Sequence, residues 1–103
     1  PYGIVYAVSV EDPVAYGTAF TKMVNSVNYD GALELHEALA GAEPGITHYV
    51  VVRDKSYSSW IKQRNPIAQS KAFQEFLAAT RSITNSELTE VFTNQLLVQY
   101  NVE

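Results

Sequence analysis

The sequence predicts an α+β domain of element order β-α-β-β-α-β, an antiparallel sheet with its helices on one face. Three observations carry this. Stretches 3–10, 47–53 and 88–100 are rich in the β-branched and aromatic residues that suit strands. Pro13 and Pro66 each stand where a helix can begin, because a first-turn residue has no need of its N–H. Several strands carry apolar residues on both faces, so both sides of the sheet are expected to be covered.

The first strand, 3–10, alternates Ile4, Tyr6, Val8 and Val10 against Val5, Ala7 and Ser9. Asp12 is an N-cap residue and Pro13 opens a helix expected to run to about Val27, with Tyr16, Phe20, Met23, Val24 and Val27 as its apolar stripe. Gly17 inside that helix points to a close packing contact, since glycine there weakens a helix by about 1 kcal/mol. Asn28-Tyr29-Asp30-Gly31 signals a turn. The segment 32–39 has helix-forming residue types but alternates like a strand. It is read as a strand because 41–45 forms a loop and 47–53, centred on Val50, Val51 and Val52, completes a hairpin. Residues 54–64 form a short helix with Tyr57, Trp60 and Ile61 at i, i+3 and i+4. Asn65-Pro66 is expected to interrupt it, because the residue before proline avoids the helical region. A helix over 66–83 buries Ala72, Phe73, Phe76, Leu77 and Thr80, and the last strand covers 88–100.

Four strands with two helical crossovers in this order give the split β-α-β, or ferredoxin-like, plan, with the first and third strands central. Two helices cover one sheet face. The surplus of apolar residues on the other, Val5 and Ala7 among them, calls for a second copy, so a homodimer through the open sheet face is expected. The 103 residues fit one domain. Seven basic against eleven acidic residues give a net charge of −4, which argues against nucleic acid and against an anionic membrane surface as partners. No apolar run reaches the ~20 residues of a membrane helix. The absence of cysteine excludes disulfides and thiolate chemistry and makes the cytoplasm the default location.

The element order, the stretch 45–52 (Gly-Ile-Thr-His-Tyr-Val-Val-Val), the aromatic helix with Trp60 and the segment 70–76 (Ser-Lys-Ala-Phe-Gln-Glu-Phe) together resemble the dimeric α/β-barrel superfamily, in tone its NIPSNAP-like and other small uncharacterised members. That resemblance implies a ligand space between the sheets. It also implies a choice among cofactor-free monooxygenases, haem-handling enzymes, lactone isomerases and proteins of unassigned role.

Candidate residues follow. His36 and His48 are the two histidines; if residues whose numbers sum to 84 face each other, they are opposite on one face and can bind a metal or move protons, though a one-residue slip separates them. A half-buried structural role is the ordinary reading of each, and no metal is expected. Tyr49 and Arg53 share the other face of the same strand and can hold a polar group in an apolar space. Trp60, Asn65 and Asn94 are candidates to hold an aromatic ligand, as the resemblance implies. Pro1 offers a secondary amine of the kind tautomerases use as a base. No phosphate-binding glycine loop, nucleophile elbow or H-E-x-x-H motif occurs. No cofactor is expected. The reading is a small homodimer that binds an apolar or aromatic molecule, with a cofactor-independent monooxygenase acting on a quinol-like aromatic, or a ligand-free structural subunit, as alternatives.

Overall fold

A computed structural model of the chain describes residues 2–39 and 44–85, and residues 90–95 as backbone. The elements are β1 (Tyr2–Val8), α1 (Pro13–Ser26), β2 (Ala32–Glu37), β3 (His48–Asp54), α2 (Tyr57–Ala68), α3 (Lys71–Thr80), a single 3-10 turn over Arg81–Ile83, and β4 (Glu90–Gln95). The four strands form one antiparallel sheet in the order β2-β3-β1-β4, so β1 and β3 are central and each crossover skips a strand. This is the ferredoxin-like α+β plan.

Local chemistry sets the element ends. Asp12 Oδ1 accepts from the Ala15 N–H at 3.1 Å, and Pro13 occupies the first helical position of α1. Ser56 caps α2 through the Ser59 N–H, and Ser70 caps α3 through the Phe73 N–H. The α2–α3 boundary departs from expectation. Pro66 does not interrupt α2, which continues to Ala68 and breaks at Gln69-Ser70. Proline removes one N–H in the last full turn, and the Gln69 N–H still bonds the Asn65 carbonyl at 3.0 Å. The Ser70 hydroxyl donates to the Ile67 carbonyl at 2.6 Å and accepts from Phe73, so one side chain closes α2 and opens α3.

Alternation divides the sheet. Tyr2, Ile4, Tyr6 and Val8 of β1, with Val50 and Val52 of β3 and Leu33 and Leu35 of β2, face the helices. The core forms there, where Val8, Val10, Tyr16, Phe20, Met23 and Phe76 are buried together. The Phe76 ring meets Tyr16 edge-on at 5.4 Å and Phe20 at 6.1 Å, which locks α3 to α1.

The other face carries Val5, Ala7, Tyr49, Val51 and Arg53, with Ala32, Glu34 and His36 towards the β2 edge. Val5, Ala7 and Val51 are already only 7%, 2% and 8% exposed within the single chain. The expectation that these side chains need a second copy to cover them is therefore corrected. Gly17 is corrected too: a Cβ there would meet nothing within 4 Å, so no close contact accounts for it.

Candidate functional site

The space that could hold a ligand lies between the helices and the inner sheet face of one chain. It is a cavity of about 690 Å³, within the range of small-molecule sites.

Its floor is Tyr2, Ile4, Tyr6 and Val8 with Val50, Val52 and Leu33, and one wall is Tyr16, Phe20 and Met23 of α1 with Phe73 and Phe76 of α3. The roof is α2. Its residues 57, 60, 61, 64, 65 and 68 all line the cavity, following the helical repeat, and no residue of α2 is buried. This helix spans a space and does not pack into a core.

The polar groups in the wall are few. Burial raises the Tyr6 phenol pKa, with the Arg64 charge acting against the shift and Tyr2 adding to it; burial alone raises that of Tyr16. Both therefore stay protonated at neutral pH. Among the described residues neither hydroxyl has a hydrogen-bond partner, so each is a donor open to whatever fills the cavity. The Tyr2 and Tyr57 phenols, the Trp60 indole, the Asn65 amide and the Arg64 guanidinium also line the space, and among the described lining residues there is no histidine or carboxylate.

A buried knot behind α2 positions this wall. Asp54 ends β3 and is 5% exposed. Its Oδ2 accepts from the Tyr29 hydroxyl at 2.9 Å and the Gln63 amide at 3.0 Å, and its Oδ1 accepts from the Lys55 N–H at 2.7 Å. Burial would raise the carboxyl pKa, but hydrogen bonds from Ser59, Tyr29 and the Lys55 and Ser56 backbone outweigh it and hold the pKa below the usual value. Tyr29 is shifted upward, by burial and then by Asp54. The Tyr29 ring meets Trp60 edge-on at 6.3 Å, and Gln63 exchanges two hydrogen bonds with the Asp30 backbone, at 2.8 and 3.1 Å. The α1–β2 turn, the end of β3 and the middle of α2 are thus one hydrogen-bonded unit behind Trp60. Gly31 belongs to it: a Cβ there would collide with the Arg53 carbonyl oxygen and the Tyr29 ring.

Of the candidates read from the sequence, Trp60 and Asn65 line the cavity. Tyr49 and Arg53 lie on the opposite sheet face, where Arg53 Nε donates to Glu34 at 3.1 Å. The proposed facing of His36 and His48 is corrected. The register pairs His36 with Tyr49 and His48 with Glu37, which puts the two rings on opposite faces. His36 Nε2 sits 2.7 Å from Glu34 Oε1, and the Glu34 pKa is lowered by that contact first, against burial, and by Arg53. His48 Nδ1 lies 2.7 Å from the Thr47 hydroxyl. Among the described residues no cluster of three metal-ligating side chains occurs. Asn94 pairs with Gly3 in the β1–β4 register; its side chain, and Pro1, lie outside the described residues. Sequence reasoning missed Tyr6 and Tyr16 as polar groups of the cavity and the Tyr29–Asp54–Gln63 knot. The turn glycine Gly31 was the visible trace of the knot.

No family model matches the chain, and a search of curated proteins finds no match. Solved structures do match in fold. Atu4242 from Agrobacterium tumefaciens superposes with a TM-score of 0.66 at 12% identity, over 92% of both chains. A candidate antibiotic biosynthesis monooxygenase from Chloroflexus aurantiacus gives 0.62 at 9% identity, over 100% of both. SnoaB, a cofactor-independent oxygenase from Streptomyces nogalater, gives 0.53 at 11% identity, over 95% of this chain and 92% of that one. These likenesses show a shared fold, the ferredoxin-like α+β plan.

Proposed function

We propose that this protein binds a small, mostly apolar, ring-containing molecule in the cavity beneath α2. The carrying observation is the wall itself: about 690 Å³ lined mostly by apolar and aromatic side chains, with the Tyr6 and Tyr16 phenols lacking a hydrogen-bond partner among the described residues. Aromatic walls stack rings, and two protonated phenols donate to ring oxygens. Calorimetric titration with 2-naphthol tests this. The native chain is expected to bind and Ala68→Phe, which fills the space from α2, to bind at least tenfold more weakly. Equal heats from both proteins would move the ligand elsewhere.

A second reading, cofactor-independent oxygenation of a quinol-like aromatic, is supported by the fold likeness to SnoaB, which is described as such an oxygenase. It predicts that 1,4-naphthoquinol consumes oxygen faster with the protein than without, and that Ala68→Phe removes the excess. The candidate group nearest such chemistry is Trp60; the histidines lie apart from the cavity.

Two copies associate, in this reading, through the outer sheet face. Half-buried Tyr49 and the Glu34–Arg53–His36 group lie there, and Leu39, 87% exposed, follows β2. The stretches 45–52 and 70–76 support placing the chain near the NIPSNAP-like members of the superfamily. The lack of cysteine supports the cytoplasm, and no described helix is long and apolar enough to cross a membrane.

A further inference from the structure

The cavity-facing stripe of α2 holds one residue that its spacing does not explain. Tyr57, Trp60, Ile61 and Ala68 suit a helix laid over an apolar space, and Arg64 occupies the same stripe, one turn beyond Trp60. It is the one formally charged side chain among the cavity-lining residues described. Arg64 is exposed, which places it at the rim, with the stem free to lie along apolar wall. Among the described residues it has no hydrogen-bond or ion-pair partner, whereas Arg53 on the outer face is matched by Glu34. A protein of net charge −4 thus presents a local positive site at the mouth of an apolar space whose described lining residues include no carboxylate.

We propose that the cavity takes an anionic ligand: a ring compound bearing one ionised oxygen group, of the aromatic-acid class, that docks on Arg64 with its ring inward against Trp60. The inference rests on the cavity being a binding site, and it specifies which molecules enter and which way round. A guanidinium matches a carboxylate through paired N–H donors, and the flanking Asn65 amide adds a neutral donor at the same rim. A cationic ligand would find no opposite charge among the described lining residues, and a neutral one would leave the Arg64 donors to water.

The test is calorimetry of the full chain with 2-naphthoate and with its neutral isostere 2-naphthamide, at low salt and at high salt. The acid is expected to bind about tenfold more tightly than the amide, the scale of one charge-assisted contact. The preference should shrink at high salt, because the rim is solvent-exposed. Arg64→Gln should bind the two equally, and Arg64→Lys should keep part of the preference. Circular dichroism establishes that each variant is folded, and the comparison of acid with amide on the native chain stands without the variants. Equal affinity of acid and amide for the native chain overturns the inference and leaves the binding cavity in place. So does a preference that survives in Arg64→Gln. Binding of neither molecule overturns both.

Discussion

Asp54 carries more of the local architecture than any other single side chain. It is buried, it is ionised, and three segments of chain meet on its two oxygens. Its pKa is held below the ordinary value, so the fold favours the charged form. The stability this supplies is present in full above the unfolded-state value and is lost as pH falls through the lowered folded value. Replacing it by asparagine keeps the shape and removes the charge. Asp54→Asn is expected to cost roughly 2 kcal/mol at pH 7, and the deficit should narrow as pH falls below about 4, where the carboxyl of the unfolded chain takes up its proton before that of the native one. Urea unfolding at pH 7 and at pH 3 measures both; an undiminished gap at pH 3 would show that charge is not what the knot holds. In sequence Asp54 read as the first residue of a short helix over 54–64. The partners that explain it, Tyr29 and Gln63, are 25 and 9 positions away, and neither residue type announces a long-range contact.

At the level of elements, the helices divide by what lies beneath them. Helix α1 packs on the sheet through Tyr16, Phe20 and Met23, and α3 packs through Phe76 and Thr80. The roof helix α2 has no fully buried residue and is held by its cap, by Gln63 and by the edge-on contacts of Tyr57 with Tyr2 and Trp60 with Tyr29. An element with so little burial is the one most able to admit a ligand. Gly17 gives an independent check on α1. With space around its missing Cβ, Gly17→Ala should stabilise the protein by about 1 kcal/mol through helix propensity and reduced unfolded-state entropy. A melting temperature raised by several degrees is the expected result; a lower one would mean that the helix meets something there in solution.

On the scale of the whole molecule, the question is what the sheet's outer face meets. The pressure of uncovered apolar strands does not decide it, because Val5, Ala7 and Val51 are buried within one chain. Association through that face would instead join Tyr49 to its symmetry mate inside a rim of ion pairs, a polar-edged isologous contact. Light scattering at high protein concentration should report about 23 kDa, twice the 11.4 kDa of one chain. The charge swap Arg53→Glu should reduce that mass by setting two like charges against each other beside Glu34. A particle of one chain's mass at every concentration would end the dimer reading and leave the cavity untouched, since every residue in its wall comes from a single copy.

The chain's own periodicities were enough for the element order, the central placement of β1 and β3, and the apolar stripes of α1 and α3, save that Leu77, expected to be buried, is exposed. These follow from spacing along one segment, and spacing survives without knowledge of neighbours. Only the tertiary structure decided the β2–β3 register, which a single residue's slip reverses and which separates His36 from His48. It alone placed the cavity under α2, away from the outer face that holds Tyr49 and Arg53. A cavity is a shortfall of packing among segments distant in sequence, so no local pattern records it. Trp60 and Arg64 differ from ordinary helix residues only because of the space they overlook.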